Sequence, residues 1–408
     1  MTRPLSHIRV LDLTRVLAGP WAAQNLADLG AEVIKIERPG TGDDSRTWGP
    51  PWWHDREGRE TRESAYFLSV NRGKKSVTLD LSQPDGQRIA RGLAAKSDVL
   101  IENYKVGTLA RYGLGYEDIR AIHPGIIYCS VTGFGQDGPF ASRPGYDFIF
   151  QGMGGLMSIT GERDEQPGGG PQKTGIAITD VLTGMYASLA ITAAITARQS
   201  SPSGAGQYID TALLDTIVAF GANQILSYWC SGSVPPRFGN AHPNIVPYEV
   251  FPTSDGHLIL AVGNDGQYAA FCRTAGRPEL ADDPRFRTNP DRVKNRAVMV
   301  PIVREIMRAR TRQQWIDALE AAGVPCGPIN SYAEVFENEQ VRHRGLRVDI
   351  PHPLGSVPTV ASPMRFSETP VEYHLPPPLL GQHTREVLNG ILGLGDAEID
   401  ALGARGIL

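Results

Sequence analysis

Cysteine is scarce and scattered: Cys129, Cys230, Cys272 and Cys326 stand far apart, and no CxxC pair occurs. This spacing excludes a zinc ribbon or a dithiol redox motif and fits a reducing compartment. Positive charge is not in excess either. Forty Lys and Arg against 44 Asp and Glu leave a formal net charge of −4, so nucleic acid meets no broad cationic field. No continuous apolar run approaches the ~18–20 residues that span a bilayer. The N-terminal segment, from Met1 to His7, leads straight into a strand-like Ile8–Leu13, with no room for a secretory leader. The nine histidines lack HxH or HExxH spacing, so no metal is expected. These absences leave a cytoplasmic protein without membrane, metal or nucleic acid as the expectation.

What is present is ordinary globular material, 41% hydrophobic and 21% charged. A chain of 408 residues is too long for one ordinary core and reads as a large domain with a smaller one. The first 135 residues alternate strand and helix: Ile8–Leu13, Trp21–Leu29, Ala31–Glu37, Ser76–Leu81, Asp85–Lys96, Asp98–Glu102 and Ile126–Val131. Short, almost continuously apolar strands separated by helices predict an α/β fold, a doubly wound parallel sheet covered on both faces. A helix rich in small residues is expected over Leu182–Arg198. Beyond about Phe220 the texture changes to short strands (Val250–Pro252, Leu258–Val262) and two amphipathic helices within Arg292–Ala322. The expected division is residues 1–220 as the first part of the large domain, 221–326 as a small α+β domain, and 327–408 returning to the large one.

Several segments are candidates for chemistry. Gly133-Phe-Gly-Gln-Asp-Gly138 matches GxGxxG after a strand, but Pro139 and the loop beyond it replace the helix that a dinucleotide site requires. Asp180 stands just before the small-residue helix. It can serve as an N-cap, and the same helix terminus can hold an ionised carboxylate ready to act as a nucleophile. Arg38, Arg46, Arg72, Lys74, Lys75 and Arg111 lie near predicted strand ends. A solvated rim of ion pairs explains them, and so does a phosphate-bearing ligand at the carboxyl edge of the sheet. The aromatic patch Trp48, Trp52 and Trp53 is compatible with a lid or a contact between subunits.

Ordered along the whole chain are Val10-Leu-Asp-Leu-Thr-Arg-Val-Leu-Ala-Gly-Pro20, Leu29-Gly-Ala-Glu-Val-Ile-Lys-Ile-Glu-Arg38, Asn71-Arg-Gly-Lys-Lys-Ser76, Glu102-Asn103, Ser130–Pro139, Gly145-Tyr-Asp147, Gly323–Pro328 and Leu379–Thr384. Together they resemble the class III CoA-transferases, the family of formyl-CoA:oxalate and carnitine CoA-transferases and α-methylacyl-CoA racemases. Arg46–Pro51, Ala241–Tyr248 and Pro376–His383 look most like the succinyl-CoA:glutarate CoA-transferase branch.

The resemblance implies a Rossmann-like large domain and ring-shaped subunits interlocked as a homodimer. It implies Asp180 as the catalytic aspartate, and Leu17, Ala18, Arg38, Leu79, Asp80, Leu81, Ser82, Asn103, Tyr104, Arg111, Tyr146 and Asp147 as coenzyme A contacts. Arg46, Trp48, Gly239, Asn240 and His242 become candidates for holding the acid. Coenzyme A is then a substrate carrier, with no permanently bound cofactor, and the partners are an acyl-CoA, such as succinyl-CoA, and a small dicarboxylate. Two alternatives stay open. In the racemase branch a histidine stands where this chain has Tyr146, and a phenol of ordinary pKa near 10 is a poor base at pH 7. A non-catalytic CoA-binding protein on the same fold is the other.

Overall fold

The computed structural model describes residues 3–408, so Met1 and Thr2, where the N-terminal reading begins, lie outside it. The chain separates into two compact units. One runs to Leu156 and resumes over Thr174–Leu226 and Arg342–Leu408; the other comprises Met157–Lys173 and Ser227–Val341. The sequence places boundaries at 220 and 326; the units change over after 226 and 341, and the excursion over 157–173 has no sequence signal.

The first unit is built on six strands: β1 (Arg9–Asp12), β2 (Glu32–Glu37), β3 (Lys74–Thr78), β4 (Val99–Glu102), β5 (Ile127–Thr132) and β6 (Tyr208–Ala212). They pair in the order β3-β2-β1-β4-β5-β6, every pair parallel. Val10 sits level with Val33 on one side and Val99 on the other. Val10, Leu11, Val99, Leu100 and Ile101 are wholly buried because helices cover both faces. The edge strand β6 was not foreseen: Tyr-Ile-Asp-Thr-Ala has neither a clean alternation nor an apolar run.

Helix α1 (Ala18–Asp28) follows β1, and α2 (Pro84–Ala94) opens with proline at its first position, where the missing N–H loses nothing. Helices α3 (Asp147–Met153), α4 (Ile178–Ser200) and α5 (Leu213–Phe220) cover the face that α1 also covers. Helix α4 begins four residues earlier than the sequence suggested. At 23 residues, with a mean hydropathy of 1.5 over its apolar window, it is long and apolar enough to cross a membrane by length and composition. Alanine, threonine and glycine produce that average without a continuous apolar run. Its buried face, Thr183, Gly184, Ala187, Ile191, Ala194 and Ile195, packs into the same core as Ala22, Ala23 and Leu26 of α1. Small residues are needed there: a Cβ on Gly184 would stand 2.5 Å from the carbonyl oxygen of Ala18.

The C-terminal segment closes the opposite face with helix α6 (Thr384–Leu392), and a further helix, Asp396–Ala404, that the sequence reading passed over. The second unit holds a three-stranded antiparallel sheet, β7 (Tyr248–Thr253), β8 (Gly256–Ala261) and β9 (Cys326–Pro328), in the order β9-β8-β7. Phe251, Leu258 and Leu260 pack there with Phe271, Val303 and Trp315.

Candidate active site

Strand order 3-2-1-4-5-6 reverses direction between β1 and β4, and in open α/β sheets ligands bind outside the carboxyl ends of the strands at such a switch point. A cleft of about 240 Å³ opens there. Arg15–Ala18 after β1, Asn103–Val106 after β4, Val131–Gly133 at the end of β5, and Ser142–Tyr146 form its walls, and Asp180 lines it from the first turn of α4. A second cleft holds Arg38, Leu79, Asp80, Leu81 and Ser82. Arg15 and Tyr104 line both, so the two clefts adjoin. Of the residues proposed for coenzyme A, the first cleft gathers Leu17, Ala18, Asn103, Tyr104 and Tyr146. Arg111 lines neither and donates to the hydroxyl of Thr108. The GxGxxG segment is loop, for the next helix begins only at Asp147.

Asp180 is not the helix cap. It is the third residue of α4, and the cap acceptor comes from another element: Asp147 Oδ1 takes the N–H of Thr179 at 2.7 Å and of Asp180 at 3.3 Å. Asp147 is itself fixed by the side-chain amide of Gln151 at 2.6 Å. The expectation that the helix terminus keeps Asp180 ionised is therefore corrected. Burial, and then the neighbouring charge of Asp147, push the Asp180 carboxyl up to about 7. Burial and the charges of Asp180 and Asp147 likewise push the Tyr66 phenol to about 12. Tyr66 packs edge-on against Trp48, ring centroids 4.9 Å apart, and sequence reasoning had no signal for it.

The basic cluster divides sharply. Arg46 is corrected as an acid-binding residue: its guanidinium is buried, donates twice to Glu37 at 2.7 and 2.8 Å, reaches Glu63 at 3.1 Å, and lies 3.6 Å over the Phe67 ring. Its N–H groups are occupied within the fold. Arg72 pairs with Asp28, and Lys74 is buried between Asp12, Asn71 and the carbonyl of Pro20. Burial pulls the Lys74 ammonium down to about 8, only partly offset by Asp12. These are structural ion pairs, not phosphate ligands. Arg15, Lys105 and Arg143 line the first cleft instead, and Arg38 the second.

Gly239, Asn240 and His242 belong to the second unit. The N–H of Gly239 donates to Gly161, and its positive φ of 61° suits glycine. His242 Nδ1 accepts from the N–H of Asn244, and burial together with Arg296 lowers its pKa, which disfavours the cationic form expected for gripping a carboxylate.

A carboxyl group at a sheet switch point, beside the start of a helix and a cation-lined cleft, is chemically suited to attack an activated acyl group. The chain belongs to CoA-transferase family III, matching it over residues 5–384. It is 50% identical over 386 residues to the succinate–glutarate CoA-transferase of Agrobacterium fabrum, covering 94% of this chain and 95% of that one. It is 44% identical over 407 residues to the succinyl-CoA:glutarate CoA-transferase of Homo sapiens, covering 100% of this chain and 90% of that one. Among solved structures, a CAIB/BAIF family protein from Brucella suis superposes with a TM-score of 0.84 at 46% identity, over 96% of this chain and all of that one.

Proposed function

We propose that the protein transfers coenzyme A from succinyl-CoA to glutarate or a similar dicarboxylate, with Asp180 as nucleophile. The observation that carries this reading is the Asp180 carboxyl at the foot of the cleft, one wall of which is the start of α1 at Leu17 and Ala18.

The ionised Asp180 attacks the succinyl carbonyl, the C–S bond breaks, and a mixed anhydride and CoA thiolate form. The thiolate then attacks the Asp180 carbonyl, releasing succinate and leaving an aspartyl-CoA thioester. Glutarate attacks that thioester, regenerating thiolate and a new anhydride. Thiolate attack on the glutaryl carbonyl gives glutaryl-CoA and returns the Asp180 carboxylate. The first turn of α1 has N–H groups without intrahelical acceptors, and these serve the developing oxyanion. Burial of Asp180 limits the water that would hydrolyse the anhydrides. The nucleotide arm of coenzyme A occupies the second cleft against Arg38 and Leu79–Ser82, with the cations Arg15, Lys105 and Arg143 near the phosphates or the distal carboxylate. No metal enters the scheme.

The subunit works as a homodimer in the cytoplasm. Phe148, Ile149 and Met153 of α3, Met185, Tyr186 and Leu189 of α4, and Val218 and Phe220 of α5 are exposed apolar side chains of a size that calls for a partner surface. Incubation with succinyl-CoA and a panel of acids, followed by mass spectrometry of the CoA products, tests the activity. Glutaryl-CoA is expected; turnover of monocarboxylates alone would overturn the substrate pair. Deuterium exchange at the α-carbon without a new thioester would indicate a racemase.

A further inference from the structure

Between β1 and α1 the chain passes through Val16 at a φ of 73°, one of only two non-glycine residues with positive φ among the described residues. A β-branched side chain is strained there, and such strain persists only where the surroundings impose it. The surroundings are specific. The Asn103 side chain grips both backbone groups of Arg15, accepting its N–H at 2.9 Å and donating to its carbonyl at 2.7 Å. The N–H of Val16 donates to Asp43 Oδ1 at 3.1 Å. Lys35 Nζ donates to the carbonyl of Thr14 at 2.8 Å and pairs with Asp43 Oδ2 at 2.9 Å, both side chains wholly buried. Ser45 fixes Asp43 Oδ1 from the other side through its N–H and hydroxyl, at 2.9 and 2.7 Å.

What this clamp positions is the catalytic wall. Leu17 and Ala18 follow Val16 directly, and Ala18 packs its carbonyl against Gly184, which lies one turn beyond Asp180 on the same face of α4. We propose that the buried Asp43–Lys35 pair is a positioning device for the transfer reaction: it holds the strained Val16 turn so that the first-turn N–H groups of α1 stay registered against Asp180. This rests on Asp180 being the nucleophile. Asp43 does not line the cleft that holds Asp180, and at 1% exposure it offers almost no surface to the second cleft, which it borders, so its removal slows the chemical steps more than it weakens acyl-CoA binding.

The test is a double-substitution cycle. Asp43→Ala is compared with the unsubstituted enzyme, and Asp43→Ala/Val16→Gly with Val16→Gly, reading kcat and KM for succinyl-CoA. Glycine takes positive φ without strain, so it has less need of the anchor. In the valine background Asp43→Ala is expected to lower kcat roughly tenfold to a hundredfold, with KM changed less than about threefold. In the glycine background the same substitution should cost less than about threefold. Asp43→Asn keeps an acceptor for Val16 but loses the charge opposite Lys35, so it should recover only part of the loss, and it remains informative if the alanine variant does not fold. Equal losses in both backgrounds, or a loss confined to KM, would overturn the clamp. Transfer activity surviving in Asp180→Ala would overturn the reading of the nucleophile instead.

Discussion

Replacing Asp180 by asparagine removes a carboxyl group that the fold holds against its own stability. With the native pKa pushed up to about 7 against 3.8 for the free side chain, the folded state keeps a proton over that window which the unfolded chain has released. Stability contributed by this position therefore falls as pH rises through the window, and below 3.8 both states are protonated and nothing is lost. At ~1.4 kcal/mol per pH unit the deficit approaches about 4 kcal/mol near and above pH 7, an upper limit because the cleft admits some water. Asparagine does not titrate and is nearly isosteric, so Asp180→Asn should match the natural chain near pH 4 and exceed it increasingly toward pH 7. Denaturant midpoints at intervals from pH 4 to 8, for both chains, measure the difference directly. A stability difference that is independent of pH, or one that shrinks as pH rises, would refute the claim that burial and Asp147 raise this carboxyl.

Other expectations concern the neighbours. Asp147→Asn keeps an oxygen to cap α4 but removes the like charge, so the acid limb of kcat/KM should move to lower pH; an unmoved limb would show that Asp147 does not act on Asp180. Arg46→Met leaves Glu37 buried without its cation and should destabilise the fold by about 3–5 kcal/mol. Unchanged stability with a raised KM for the acceptor acid would restore Arg46 as a substrate ligand. Gly184→Ala puts a methyl group 2.5 Å from the Ala18 carbonyl, and should cost about 1–3 kcal/mol in denaturation while lowering kcat by displacing α1 from Asp180. Full activity and stability in that variant would mean the two helices separate freely.

The parallel sheet was legible because its strands are hydrophobic runs punctuated by helices, Val10-Leu-Asp-Leu13 and Val99-Leu-Ile101 being clear cases. The edge strand Tyr208–Ala212 was not, since an edge shares its polar groups with solvent and carries no continuous apolar signature. Asp180 could be singled out as a candidate, but its charge state could not: the residue that caps α4 is Asp147, distant in sequence and brought up by a separate helix. Arginines 46 and 72 show the same limit. Their spacing says that cations gather near strand ends, while only the packing shows that carboxylates of Glu37 and Asp28 already occupy them. One signal was present and unused. Lys35 interrupts the apolar strand Val33-Ile-Lys-Ile36, and a lysine buried on a doubly covered strand must have a partner. That partner is Asp43.

In the proposed reaction Asp180 carries coenzyme A covalently during transfer. Enzyme mixed with succinyl-CoA in the absence of acceptor, quenched, digested and examined by mass spectrometry should yield the peptide spanning residue 180 with coenzyme A in thioester linkage to that aspartate. The adduct should disappear when glutarate is added, as glutaryl-CoA accumulates. Coenzyme A attached to a different side chain, or rapid transfer with no adduct on Asp180 at any quench time, would contradict it.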